Sequence, residues 1–220
     1  MGNLGLTPDK IHIINLPELL LLPRMICNIK VFDSYVIDVI IDAFSNDRIV
    51  GLIQTRYERF AHEKLFEKIG IACRIKSFQE KSLNEETYVE ITLEGLCRFT
   101  VIDWLISEQT KMVKAYVDYK KFDSDFGILP PSKINREMLM KGFRRYLSHH
   151  HQDINLSRFS QVSDQLLIDS ISMSLDFTPE QRQTLLESVD FNDRAMLLMD
   201  IFYIDHPVPQ GFDADLGLKI

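Results

Sequence analysis

A glycine-rich phosphate loop, a membrane-length apolar run, a surplus of positive charge and paired cysteines are all missing from these 220 residues. Without a GxxxxGK[ST] pattern there is no recognisable cradle for nucleotide phosphates. No stretch reaches the roughly 20 apolar residues that span a bilayer. The run LPELLLLPRMIC, ending at Cys27, is broken by Pro17, Glu18, Pro23 and Arg24, which argues against a signal-peptide core or a lipobox. Leu6 stands where a myristoylation signal after Gly2 needs Ser or Thr. Three cysteines, Cys27, Cys73 and Cys97, are too few and too widely spaced for a disulfide framework or a paired zinc site. Free thiols in a reducing cytoplasm are expected. The net charge of −7 leaves neither half basic, with 16 basic against 19 acidic residues in 1–125 and 9 against 13 in 126–220. Nonspecific binding to nucleic acid is therefore not expected.

What is present is a globular composition, 45% hydrophobic, able to bury a core. Residues 25–31, 49–54, 69–79, 88–101 and 111–119 are rich in β-branched and aromatic types and read as strands. One helix interrupts them: Val36, Ile37, Ile40, Ile41 and Phe44 recur three and four apart, with Ser34 as candidate N-cap. DSDFGILPPS, 123–132, is a breaker-rich linker, after which the pattern turns helical. Ser132 is placed to cap a helix over 133–148, and DQLLIDSISMSL makes another over 164–175. Thr178, Pro179 and Gln181 form a capping box that opens a short helix to Glu187. Asn192 is placed to cap a last helix that buries Ala195, Leu198, Met199 and Phe202. The tail from His206 has no period and reads as extended. The expected division is a β domain over 1–125 and a helical bundle with an extended tail over 126–220.

ITLEGLCRFTV, 91–101, poses the question of chemistry. Ile91, Leu93, Gly95, Cys97, Phe99 and Val101 share one face and Arg98 takes the other, with only Leu96 breaking the alternation. Cys97 then points into apolar surroundings that suppress its nucleophilicity, and Arg98 cannot activate it. Gly95 reads as a bulge or a close backbone approach. The preceding strand places Ile69, Ile71, Cys73 and Ile75 on one face, and KSLNEET joins the two into a long hairpin with its turn near Asn84 and Glu85. That register brings Cys73 and Cys97 close across the ladder.

These residues carry a family resemblance. IGIACRIKSFQEKSLNEETYVEITLEGLCRFTV resembles the core signature of the Lon substrate-binding domain, an "IG-A-RI" strand leading through an acidic turn to "Y-I-L-GL-RF". LPELLLLPRMICNIKVFDSYVIDVIIDAFSNDRIVGLIQ is similar to the family's opening, down to Arg48, Gly51 and Gln54, and the helical half is similar to the bundle that follows. The chain departs from the family pattern at Arg24, where glycine is usual after the proline, and at Phe32 to Val36. The resemblance implies an α+β fold: a PUA-like pseudo-barrel of about six strands with one helix, then a helical bundle. It also implies a non-catalytic module that captures unfolded or damaged, apolar polypeptide segments in protein quality control, with an ATP-dependent protease as a further partner. Since the chain ends where the ATPase of full-length relatives would begin, neither ATP hydrolysis nor peptide cleavage is expected, and no cofactor or metal.

Candidate binding residues follow from this. The loop TRYERFAHEKLFEK, 55–68, offers Tyr57, Phe60 and Phe66 to a partner, or folds onto the barrel as an amphipathic turn. Leu20, Leu21 and Leu22 form an exposed patch, or plug the barrel end. Trp104, the only tryptophan, is a further candidate that also suits a core position. His149, His150 and His151 suit a solvated helix C-terminus better than a zinc site with Asp153. Lys141, Arg144 and Arg145 read as a solvated face. The rival to protein capture is a PUA-like RNA- or nucleotide-binding module, for which Arg56, Arg59, Lys64 and Lys68 are the available cations.

Overall fold

The computed structural model describes residues 7–58, 63–83, 86–152 and 154–204. Six strands come first: β1 Lys10–Ile14, β2 Ile26–Val31, β3 Ile49–Glu58, β4 Glu63–Leu83, β5 Glu86–Ile106 and β6 Val113–Asp118, with helix α1 Ser34–Ser45 between β2 and β3. A 3-10 segment, Lys120–Phe126, leads to the helices α2 Arg136–His149, α3 Asp164–Ser174, α4 Pro179–Glu187 and α5 Phe191–Ile204. The α+β architecture expected from the sequence is present.

Strand pairing closes a ring. β5 pairs with β4, β4 with β3, β3 in parallel with β1, β1 with β6, and β6 returns to β5. β2 lies against the first part of β5. Every ring strand contributes to one apolar cluster that includes Ile11, Ile53, Ala72, Cys97, Phe99 and Val117, which therefore fills the ring. A larger cluster covers the outside. There Val50, Leu52, Ile71, Cys73, Leu93 and the α1 face of Val36, Val39, Ile40 and Ala43 join Phe143, Ile168, Leu186 and Phe202 of the helices. One apolar cluster thus runs across the point where strands give way to helices. Strands buried on both faces lose a simple inside-outside alternation.

Bulges sharpen the register. Ala72 pairs with Cys97 but Cys73 with Gly95, so the extra residue, Leu96, turns Cys97 into the ring while Cys73 faces the helices. The two thiols are neighbours along the ladder on opposite faces. Gly95 sits where a side chain would strike the Leu22 carbonyl at 2.2 Å, and its amide and carbonyl bond Met25 O and Arg24 N at 2.9 and 2.8 Å. It serves both as bulge residue and as close approach.

The helix starts differ from expectation by one to three residues. Asp33 rather than Ser34 caps α1, and Asn135 rather than Ser132 caps α2. Ser132 instead binds Asp164 at 2.5 Å. Asp190 accepts from the amides of Asn192 and Asp193 at the start of α5, while Asn192 ties Lys133 N and Pro131 O of the linker. The capping box of Thr178 and Gln181 forms as read. The tail beyond Ile204 lies outside the described residues, and among those described no helix is long and apolar enough to cross a membrane.

His12 joins β1 to α1 through a 2.7 Å contact from Nε2 to Asp42 Oδ2. Burial, then Lys114, lower its pKa from 6.5, with Asp42 pulling the other way. The unfolded chain thus takes up this proton first, and stability falls as pH drops through and below 6.5. Urea titrations between pH 7 and about 5 should show this loss in the native protein and a flatter profile in His12→Gln.

Candidate functional site

The ladder between β4 and β5 stops at the pair Ile69–Thr100, although both strands continue. Upstream, β4 follows β3 through the pairs Phe66–Thr55 and Leu65–Arg56; downstream, β5 follows β6 through Trp104–Ala115 and Ile106–Val113. A cleft of about 660 Å³ opens where they part. Leu65, Phe66, Ile69, Trp104, Ile106 and Val113 make its apolar lining, and Arg56, Glu67, Lys68 and Glu187 its rim. Phe66 stacks on Trp104 with ring centroids 5.1 Å apart. Leu65, Phe66 and Ile106 remain 36%, 40% and 67% exposed, so this is apolar surface left in water.

A second bulge aims the tryptophan. Val101 pairs with Val117 and Asp103 with Tyr116, which leaves Ile102 as the extra residue. The shift puts Trp104 opposite Ala115 on the side of Val101, facing the cleft rather than away from it. Simple alternation along the strand would have put Asp103 there.

Helix α4 closes the back of the cleft. Gln183 Nε2 donates to Ile69 O at 3.1 Å and to Glu187 Oε1 at 2.7 Å, where the β4–β5 ladder ends. Burial, helped by the neighbouring Glu187 and Glu180 and opposed by Arg56, pushes the Glu67 carboxyl above its ordinary value. The end of α4 is fixed by Arg98, which is 2% exposed. Its guanidinium grips Asp125 through Nε to Oδ2 at 3.0 Å and Nη2 to Oδ1 at 2.6 Å. It also donates to the carbonyls of Leu186 at 3.0 Å, Ser188, and Val189 at 3.3 Å. Arg194 does the same beside it, with Nη1 2.5 Å from Asp169 Oδ1 and Nε 3.1 Å from Leu185 O. Two cations thus satisfy the carbonyl end of α4.

The sequence candidates fall apart in space. Leu20, Leu21 and Leu22 are buried in the outer cluster, so the loop plugs rather than presents a patch. Gln54 holds it, donating to Leu19 O at 2.8 Å. The stretch expected as a loop continues as strand through Glu58 and from Glu63. Phe60 and Arg59 lie outside the described residues, as do the side chains of Tyr57 and Lys64. Trp104 lines the cleft. Phe66, read from the same stretch as Tyr57 and Phe60, lines it too, whereas Leu65 and Ile106 were missed. The period-2 signal that could have revealed them is masked by the charges between them.

No nucleophile is assembled around the cysteines. Burial pushes the Cys97 thiol up to about 12, with Asp125 adding to the rise, and the half-buried Cys27 up to about 11. Arg98 lies across the strand from Cys97, committed to Asp125. His149 ends α2, His150 stacks on Tyr146 at 4.1 Å, and His151 turns at a positive φ of 52°. Asp153 lies outside the described residues, among which no metal-binding cluster of His, Cys, Asp or Glu occurs.

Comparison with known proteins places this geometry. The family model for the ATP-dependent protease La (LON) substrate-binding domain matches residues 10–202. Lon protease 2 of Hydrogenovibrio crunogenus is 28% identical over 147 residues, 64% of this chain and 16% of that protein. The sulfate/thiosulfate import ATP-binding protein CysA of Pseudomonas syringae pv. tomato is 26% identical over 133 residues, 54% of this chain and 38% of its own length. The chain thus spans well under half of either curated relative. Among solved structures, the Lon N-terminal domain protein of Xanthomonas campestris superimposes with a TM-score of 0.57 at 19% identity, covering 86% of this chain and 96% of that one.

Arg98→Met leaves the Asp125 carboxylate buried without its partner and should cost about 3–5 kcal/mol in urea unfolding, whereas Arg98→Met with Asp125→Leu should recover part of the loss. In the folded protein, a thiol reagent at neutral pH should leave Cys97 unlabelled until denaturant is added.

Proposed function

Because the chain belongs to the Lon substrate-binding domain family, we propose that it is a non-catalytic module that captures extended, apolar segments of unfolded or damaged polypeptides at the Phe66–Trp104 cleft. The observation that carries the reading is the stacked aromatic pair exposed between two parting strands. Aromatic rings remove large areas from water with few torsions to freeze, the property that makes them anchors in protein recognition. Among the described residues no ladder joins 65–68 to 101–106, so an extended guest also meets strand edges with main-chain groups to offer. Each anchored side chain contributes about 1–3 kcal/mol, so single contacts are weak and several must act together. Such binding suits triage in the cytoplasm, where a captured segment is held for an ATP-dependent protease. Tyr57 and Phe60 remain part of the proposal as residues next to the cleft in sequence.

The test is a titration with a reduced, carboxymethylated, permanently unfolded protein. Trp104→Ala and Phe66→Ala should each weaken binding by about tenfold, the equivalent of about 1.4 kcal/mol. Tyr57→Ala with Phe60→Ala should weaken it further. Unchanged binding in Trp104→Ala/Phe66→Ala would sink the assignment of the cleft. A short RNA in the same assay addresses the PUA-like alternative, since phosphate-driven binding collapses as salt rises.

A further inference from the structure

A second groove, of about 620 Å³, lies between the start of α2 and one face of α5. Ile134, Leu139, Ala195, Met196 and Met199 make its apolar floor, and Met196 leaves 60% of its surface in water. Asp190, Asp193 and Asp200 stand around it against one cation, Lys133. Asp193, Met196 and Asp200 are three and four residues apart, so they form one stripe along α5. Seven residues along a helix put the two carboxylates about 10 Å apart along the axis.

Local stability accounts for only part of this charge. Asp190 caps α5, and Asp193 sits in the first turn, where a carboxylate suits the helix dipole. Asp200 lies towards the opposite, carbonyl end, where a carboxylate opposes the dipole and no basic residue stands in the last turn. Among the described residues, neither the Asp193 nor the Asp200 carboxylate accepts a hydrogen bond or joins an ion pair. An apolar floor of flexible methionines with an acidic rim matches a guest of defined chemistry: apolar on one side, positive on its flanks.

We propose that this groove docks a basic amphipathic helix of a partner protein, distinct from the segments held at the Trp104 cleft. The chain's own tail is a poor occupant by charge, carrying Asp205, Asp213 and Asp215 against Lys219. A second copy is disfavoured by the net charge of −7. The guest's apolar residues recur at three and four, over Met196 and Met199, and its lysines or arginines, seven apart, meet Asp193 and Asp200.

The probe is an 18-residue Lys/Leu peptide patterned as an amphipathic helix and labelled for fluorescence anisotropy. A Glu/Leu peptide of the same pattern and a scrambled Lys/Leu peptide serve as controls. The patterned Lys/Leu peptide should bind at least tenfold tighter than either control, with affinity falling as salt rises. Asp200→Lys, on an exposed position, and Asp193→Asn with Met196→Ser should each weaken it several-fold. Glu108→Lys, at an exposed acidic site elsewhere, should not, and Trp104→Ala should leave this binding intact even where it abolishes capture of unfolded protein. The proposal is overturned if the scrambled peptide binds equally, if Glu108→Lys weakens binding as much as Asp200→Lys, or if both groove variants bind as the native chain does. It is also overturned, in favour of self-association, if sedimentation shows a dimer that Asp200→Lys dissociates.

Discussion

Arg98 projects from a barrel strand towards the helices and answers five acceptors: both carboxylate oxygens of Asp125, the Leu186 carbonyl in the last turn of α4, and the Ser188 and Val189 carbonyls just beyond it. Arg24 adds to the same node by donating to Asp125 O and Gly127 O at 3.0 and 2.7 Å. Burying such charges is costly, and a hydrophobic substitute of equal volume is often as stable. What the guanidinium adds is direction, because its planar fork fixes several acceptors at once. With α4 held in this way, Gln183 reaches the end of the β4–β5 ladder and Glu187 reaches the rim of the cleft. The place where the sheet opens is therefore set from the opposite side of the strand.

Arg24 both strains the backbone and anchors it. It adopts a φ of 68°, a conformation that favours glycine, the residue that the family resemblance leads one to expect after Pro23. A side chain there carries a backbone strain of about 1–2 kcal/mol. Its guanidinium offsets this by tying the loop to the 3-10 segment around Asp125. The strain and the anchor belong to one residue, so the cost and its offset arise together.

The fold was legible because strand alternation and capping chemistry are local. The hairpin of β4 and β5, the box at Thr178, and the stripe of Ala195, Leu198 and Phe202 could all be read directly. The misplaced caps at Ser34, Ser132 and Asn192 share a cause: each has an Asp or Asn nearby that competes for the same amides, and tertiary contacts choose between them. The site was harder. Arg98 was read as a polar-face residue because period 2 separates two faces without saying whether helices cover the second. Trp104 was placed by a bulge at Ile102, and a one-residue insertion in a ladder has no signature in its own strand. Leu20 to Leu22 could be patch or plug on composition alone, and the deciding partner, Gln54, is more than thirty residues away.

The position of Trp104 has an optical consequence. It is the sole indole of the chain, and it lies in ring contact with Phe66 at the mouth of a half-open, mixed polar and apolar space. Its emission therefore reports on a single locality instead of averaging over the molecule. Any guest that displaces water from that space shifts the spectrum to the blue, and any that slides between the rings changes the yield. The protein carries its own fluorophore at the mouth of the proposed binding cleft.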